Sequence, residues 1–263
     1  MLFFGREALI ALAIKYQGDW NQIYAAIKSR EPVDVEEGMR QMMTMECKAV
    51  TYIDPEYPTD LRNQCPRPPF VLFYYGDLSL IQDRSKILTV VGSREPSHYA
   101  TEKTKALCHA IIDRGYIVCS GLAKGIDTAA AQATASFPGK AIGIMGCGID
   151  RCYPLENQRY RDQIAKNGLL LSEYPGLTPP NAMHFPARNR LLAALAQGVF
   201  VGEVTPKSGT MITVAFALDM SRDVGTLPCQ PDGETCNNQL IKTGAALIEN
   251  VDDLELFLSS PRP

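Results

Sequence analysis

Two neighbouring stretches confine this chain to a narrow set of folds. The strand-like run Ile87-Leu88-Thr89-Val90-Val91 stops at Gly92-Ser93-Arg94, and a helical segment follows. A second strand-like run, Tyr116 to Cys119, stops at Ser120-Gly121-Leu122-Ala123-Lys124-Gly125-Ile126-Asp127, again with a helix just past it. A buried strand, a small-residue turn and a helix form the repeating unit of a parallel sheet covered on both faces. Such a turn sets backbone N–H groups and a helix N-terminus at the carboxyl edge of the sheet, a ready site for phosphate. Arg94 and Lys124 add charge at the same edge. Phosphate recognition is therefore the first functional expectation.

From Ile87 onward the pattern repeats. Strands are expected at 87–91, 116–119, 140–145, 168–172, 198–203, 223–227 and 246–248. Helices are expected at 99–114, 124–135, 157–166, 186–197, 209–221 and 236–243, with a short acidic one from Asp252 to Leu258. Apolar strands alternating with amphipathic helices give a mainly parallel α/β sheet, and ligands of such sheets bind past the strand carboxyl ends. Residues 1–48 read as a small helical domain. Leu9, Leu12, Ala13 and Tyr16 fall at helical spacing, as do Trp20, Ile23, Tyr24 and Ile27. Asp19 suits the N-cap of the second helix, and Pro32-Val33-Asp34 opens a third through Met39 to Met45, whose methionines read as core filler. Residues 49–80 read as a turn-rich linker, with the apolar run Phe70 to Tyr75 as an edge strand. Residues 81–263 form the expected α/β binding domain.

With 263 residues the chain can bury a full core. No apolar run reaches the roughly 18 residues of a membrane-spanning helix. The N-terminus lacks a basic stretch followed by an apolar one, so a cytoplasmic protein is expected. Eight cysteines are scattered without a CxxC pair or zinc spacing, which reads as reduced thiols rather than a disulfide framework or a metal site. The net charge of -3 argues against coating nucleic acid through bulk charge. It leaves room for a local basic pocket, because steering depends on where charges sit.

Five of the expected strand ends carry the residues of interest. They supply Gly92-Ser93-Arg94, then Ser120 to Gly125, then Gly146 to Tyr153 with Asn157 and Arg159 behind. The fourth end, Ser172-Glu173-Tyr174, leads into His184-Phe185-Pro186-Ala187-Arg188-Asn189-Arg190, and the fifth brings Glu203 and Lys207-Ser208-Gly209-Thr210. Six cations, Arg94, Lys124, Arg151, Arg188, Arg190 and Lys207, are thus expected on one rim, with Ser93, Ser208 and Thr210 as hydroxyl donors. Singly, each reads as readily as a solvated charge, and Arg190 as an ion pair with Glu173 or Glu203. Jointly they point to an anion, since unpaired like charges in one cleft repel. Tyr153, Tyr174 and Phe185 stand beside these cations, which suits single-stranded nucleic acid, where phosphates pair with Arg or Lys and bases stack. Phe185 is the best stacking candidate. The dinucleotide and Walker fingerprints are missing, and neither His98, His109 and His184 nor the pair Asp127 and Asp150 forms a catalytic constellation. Binding without catalysis, cofactor or metal is expected.

In their order these motifs resemble the DNA-processing protein A family, also called Smf. The shared patterns are the Gly-Ser-Arg turn at 92–94, Ser-Gly-x-Ala-x-Gly-Ile-Asp at 120–127, and Gly-x-Gly-x-Asp-x-x-Tyr-Pro-x-x-Asn from Gly146 to Asn157. Ser172 to Pro175, Phe-Pro-x-Arg-Asn-Arg from Phe185 to Arg190, and Ser208, Gly209 and Thr213 complete the set. The resemblance covers residues 50–250. It implies an extended Rossmann-like sheet with helices on both faces, behind a small helical (SAM-like) N-terminal domain. It further implies a non-enzymatic protein that binds and protects single-stranded DNA, forms a homodimer through the C-terminal part of the sheet domain, and helps load the RecA recombinase during natural transformation. The implied DNA-contacting set is Gly92, Ser93, Arg94, Ser120, Gly121, Lys124, Gly148, Asn157, Phe185, Arg188, Asn189, Arg190, Lys207, Ser208, Gly209 and Thr210. This chain departs from the family at Cys229 and Cys236, where glycines are usual, and the family's C-terminal winged-helix domain is expected to be absent. A rival resemblance, at Gly209-Thr210, is to nucleotide phosphoribohydrolases of the cytokinin-activating type. Their chemistry needs a nearby glutamate, and no carboxylate appears here before Asp219.

Overall fold

The computed structural model describes residues 5–230 and 235–259. The departures at Cys229 and Cys236 therefore flank residues outside the described set, to which the first four and last four of the chain also belong. Three N-terminal helices, α1 (Arg6–Lys15), α2 (Trp20–Ser29) and α3 (Val35–Met43), come first. Asp19 caps α2 by accepting from the Gln22 amide at 2.9 Å, and Asp34 caps α3 from the Glu37 amide at 2.9 Å. Then follow β1 (Lys48–Thr51), α4 (Thr59–Gln64) and β2 (Val71–Gly76). The repeating region holds β3 (Ile87–Val91), α5 (His98–Asp113), β4 (Ile117–Ser120), α6 (Ile126–Thr134), β5 (Ala141–Ile144), α7 (Gln158–Asn167) and β6 (Leu169–Ser172). It continues through α8 (His184–Ala194), β7 (Gly198–Val201), α9 (Thr210–Asp219), β8 (Asp223–Thr226), α10 (Asn237–Lys242), β9 (Ala246–Leu247) and α11 (Val251–Ser259). Every strand and helix expected from Ile87 onward is present, with ends displaced by at most three residues.

Among the described residues the strands form one sheet in the order β1-β2-β6-β5-β4-β3-β7-β8-β9. Pairing is parallel from β6 to β9, and β2 is antiparallel to both β1 and β6. The expectation for 49–80 needs correction here. The edge belongs to β1, while the apolar run at 71–76 lies one strand inside it. Val71, Leu72 and Phe73 are buried because both faces of β2 are covered.

Side chains alternate across the sheet as strand geometry demands. In β3, Leu88 and Val90 pack with Leu107, Ile111 and Phe257 beneath α5 and α11, while Ile87 and Val91 join Leu191, Leu192 and Val214 beneath α8 and α9. The N-terminal helices bring Leu9, Leu12 and Ile23 against Phe73, Met145 and Leu170, so they share an apolar cluster with the sheet. Met39, Met42 and Met45 pack against that cluster, and Met43 is exposed. The α1–α2 turn is pinned near one strand end: Gly18 has φ +79, and a Cβ there would fall 2.3 Å from the Glu173 carbonyl oxygen.

The chain runs outward from β3 through β4 and β5 to β6, then returns to place β7 on the other side of β3. The carboxyl ends of β3 and β7 are therefore the topological switch point, where the two halves of a doubly wound sheet part and leave a crevice.

Candidate functional site

A cleft of about 850 Å³ opens at that crevice. Its walls are the 92–95 turn after β3, Ala123 and Asp127 after β4, Phe185, Arg188 and Asn189 of α8, and Ser208, Gly209 and Thr210 after β7. Backbone hydrogen bonding laces the two central turns together. Ser93 donates its amide to the Glu203 carbonyl at 2.6 Å, and the Thr210 hydroxyl donates to the Gly92 carbonyl at 2.9 Å. The Glu203 carboxylate faces away from the cleft's chemistry. It accepts from the Ser97 amide and hydroxyl at 2.9 and 2.6 Å and so holds the N-cap of α5. This bracing projects Arg94 outward. Its guanidinium stands 5.9 Å from the Phe185 ring centroid, and Phe185 in turn lies 5.6 Å from the Tyr153 ring. Among the described residues Arg94 has no carboxylate within ion-pair distance.

The turn after β4 is built differently. Asp127, in the first turn of α6, is buried and accepts from the Gly121 amide at 2.9 Å and the Ala123 amide at 3.4 Å. The N–H groups that the sequence offers to phosphate are thus occupied by the protein's own carboxylate. Burial pushes the Asp127 carboxyl above its ordinary range, opposed by the nearby Arg188 guanidinium and those same amides. Asn157, also buried, closes the other side by donating to the Leu122 and Ala123 carbonyls at 2.9 and 3.0 Å. Gly125 has φ +76 and lies against the β3 turn, since a Cβ there would fall 2.1 Å from the Ser93 carbonyl oxygen. Arg188 is 4% exposed, donates to the Gly121 carbonyl at 2.7 Å and to the Ile144 carbonyl, and still lines the cleft. Burial lowers its pKa, but a guanidinium starts high enough to stay charged.

The expected ring of six cations is not formed. Arg190 is 5% exposed and makes a bidentate pair with Glu173 at 2.5 and 2.7 Å, while also donating to the Pro66 and Arg67 carbonyls. Two residues along a helix turn a side chain by about 200°, so Arg188 and Arg190 of α8 cannot share one face. Arg151 is exposed and donates to the Leu177 carbonyl at 3.1 Å. Lys207 is exposed beside the cleft without lining it. Lys124 is exposed, pairs with Glu156 at 2.9 Å, and lines a small notch that Arg94 and Phe185 also border. Ser120 is buried beneath the turn, and Gly148 lies where a Cβ would fall 2.2 Å from the Gly176 carbonyl oxygen, so neither reaches the cleft. Tyr174 is buried and does not line the cleft, stacked instead on His184 with centroids 3.9 Å apart.

Reading strand ends for cations missed Glu95, Asn181 and Thr205, which also line the cleft. It missed Asp127 as well, although an acid in the first turn of a helix is a signal for capping the preceding amides. Cys108 and Cys119 are buried free thiols with pKa pushed up to about 12 by desolvation. Among the described residues no cluster of three or more His, Cys, Asp or Glu is placed to hold a metal, and no helix is long and apolar enough to cross a membrane.

The model of a family described as DNA recombination-mediator protein A matches residues 48–259. Protein Smf of Synechocystis sp. is 38% identical over 205 residues, covering 76% of this chain and 51% of that protein. The DNA processing protein DprA of Bacillus subtilis is 37% identical over 189 residues, covering 71% and 63%. That of Streptococcus pneumoniae is 38% identical over 205 residues, covering 77% and 71%. The chain therefore spans 51% and 63% of the length of the first two of these relatives. Among solved structures, DNA processing protein A from S. pneumoniae superposes with a TM-score of 0.75 at 30% identity, covering 95% of this chain and 92% of that one. A structure concerning the single-stranded DNA binding mode of DNA processing protein A from Helicobacter pylori gives 0.72 at 30% identity, covering 80% and 94%.

Proposed function

Since the chain belongs to the DNA recombination-mediator protein A family, we propose that it binds single-stranded DNA in the switch-point cleft, protects incoming strands during natural transformation and helps load the RecA recombinase onto them. The family is one of recombination mediators rather than enzymes. One observation carries the reading: Arg94 stands unpaired over the Phe185 ring, with Tyr153 beside it, at the mouth of the cleft. A cation, a half-buried ring and the exposed Tyr153 ring within one nucleotide's reach suit a backbone phosphate and its base. Arg188 and Lys124 extend the positive wall, Gly92, Ser93, Asn189, Ser208, Gly209 and Thr210 supply its polar lining, and Gly121 and Asn157 hold the turn that presents Lys124.

Further parts of the proposal rest on composition and shape. A homodimer fits the sheet's β9 edge, where Leu218, Leu247 and Leu256 are 62%, 44% and 68% exposed around an apolar groove of about 510 Å³. The division at 48 and 80, with the first three helices as a unit, and a cytoplasmic location belong to the same reading. The phosphoribohydrolase alternative draws no support from the cleft. Its carboxylates are Glu95 and the amide-bound Asp127, and Asp219 ends α9, about 14 Å from Thr210 at 1.5 Å per residue.

The test is a titration of single- and double-stranded oligonucleotides at two salt concentrations. Single strands are expected to bind preferentially, with strong salt dependence and little sequence preference. Arg94→Ala is expected to weaken single-strand binding tenfold or more, as loss of a charge-assisted contact of about 1.5–3 kcal/mol implies. Unchanged affinity in that variant removes the site, and release of free base from nucleoside monophosphates revives the enzyme.

A further inference from the structure

Beyond the turn that carries Lys124 lies a second groove, of about 500 Å³, between α5, α6 and α7. Lys105 of α5, Gln132 of α6 and Tyr160 of α7 face it, together with Lys124 itself. The two depressions are not separate. Arg94, Tyr153 and Phe185 border both the main cleft and a small notch, and Lys124 borders both that notch and the second groove. Between them the Gly125 backbone packs directly against the Ser93 and Arg94 carbonyls, where a Cβ would fall 2.1 and 2.8 Å from their oxygens.

We propose that a single strand does not end at the cleft but crosses over at Lys124 and runs on into the α5–α6–α7 groove as a second binding subsite. The inference rests on the single-strand reading of the cleft and deepens it by giving the strand a direction and a second set of contacts. Charge and hydrogen bonding both support the path. Lys105 is held by Glu102 and Lys124 by Glu156, each at 2.9 Å, and both pairs are solvent-exposed. Exposed pairs of this kind are weak enough for a phosphate to displace the carboxylate. Within the described residues the Gln132 amide and Tyr160 hydroxyl make no hydrogen bond, so both are available to a strand. Arg159 stands 6.0 Å from the Tyr160 ring, outside the residues that line the groove.

The experiment compares thymidine strands of about 6 and about 15 nucleotides, within the range of ~4–16 that single-strand sites span. Fluorescence anisotropy at several salt concentrations would be used with wild type, Lys105→Ala, Lys105→Glu and Arg94→Ala. Wild type is expected to bind the longer strand more tightly by a factor above that of added register positions alone. Lys105→Ala is expected to lose roughly tenfold on the longer strand, the value of one charge-assisted contact, and nothing on the shorter. The slope of log affinity against log salt should fall by about 0.7 for the longer strand only. Lys105→Glu should lose more. No preference for length, or losses equal on both strands, overturns the second subsite while leaving the cleft intact. Failure of wild type to bind the short strand, or indifference of that binding to Arg94→Ala, instead overturns the cleft reading beneath it.

Discussion

The turn at Gly92-Ser93-Arg94 and the turn from Ser120 to Gly125 each follow a buried strand, precede a helix and carry one cation. After β3 the backbone groups are consumed by the neighbouring β7 turn, through the Ser93 amide and the Gly92 carbonyl, and the cation is left facing solvent. After β4 the backbone amides are consumed by Asp127, and the cation pairs with Glu156. What separates them is the distance to the next carboxylate. A concavity of N–H groups binds whichever anion is held closest, and Asp127 is covalently tethered there at high effective concentration. The same division runs along α8. Arg188 borders the cleft while Arg190, two residues on, holds Glu173 and the 66–67 backbone. Cations that border the cleft and cations committed to ion pairs thus alternate within a few residues of each other.

Substitutions that remove the fold-serving members test this division most severely. Arg190→Ala leaves the Glu173 carboxylate buried and unpaired, and is expected to cost about 3–5 kcal/mol in denaturant unfolding. Replacing both partners with apolar residues should cost less than either single change. If Arg190→Ala instead keeps its stability and loses single-strand affinity, the assignment of the two arginines is reversed. Asp127→Ala comes next. It strips the acceptor from the Gly121 and Ala123 amides and is expected to cost about 1–3 kcal/mol. Asp127→Asn, which retains one acceptor oxygen, should cost less. Arg94→Ala, made in parallel, should stay within about 0.5 kcal/mol of wild type. Equal stability losses in Asp127→Ala and Arg94→Ala would erase the contrast between the turns.

The alternating architecture was legible because continuous apolar strand runs, buried on both faces, and the small-residue turns that end them are local signals, which is why Ile87 to Val91 and its successors fall where the pattern puts them. Residues 49–80 were less legible. β1 is only four residues long and draws its stability from pairing with β2, a partner some twenty positions away. For the site, the strand-end rule located Gly92 to Arg94, Phe185 and Ser208 to Thr210 on one cleft, since topology alone decides that. It could not tell a free cation from a committed one. Arg190 and Glu173 meet across a loop whose path no local pattern encodes, although their pairing was one of two readings the residues allowed. Asp127 was visible as a residue and invisible as an occupant, because the rule looked for charges complementary to the ligand rather than for charges that resemble it.

A third basic residue on α8 sharpens the comparison with a smaller effect. His184 opens the helix, stacked on Tyr174, with its Nδ1 buried and without a hydrogen-bond partner. Desolvation pushes its pKa below the ordinary value of 6.5, outweighing the Gly146 backbone and the acids Asp19 and Glu173, which act the other way. An imidazole in the unfolded chain titrates near 6.5. Between the lower folded value and 6.5 the unfolded state therefore binds more protons, so stability rises with pH across that window. The full stability is present above about 6.5 and declines as pH falls toward the folded value. Melting of wild type is expected to decline from pH 7.5 to pH 5.5 more than that of His184→Phe, which keeps the ring stack but cannot titrate. Because Nδ1 is turned inward, short-strand affinity should change with pH no more in wild type than in the variant. A strengthening of binding at the acid end that His184→Phe abolishes would move this residue to the ligand-serving side, and α8 would then present two cations to the cleft instead of one.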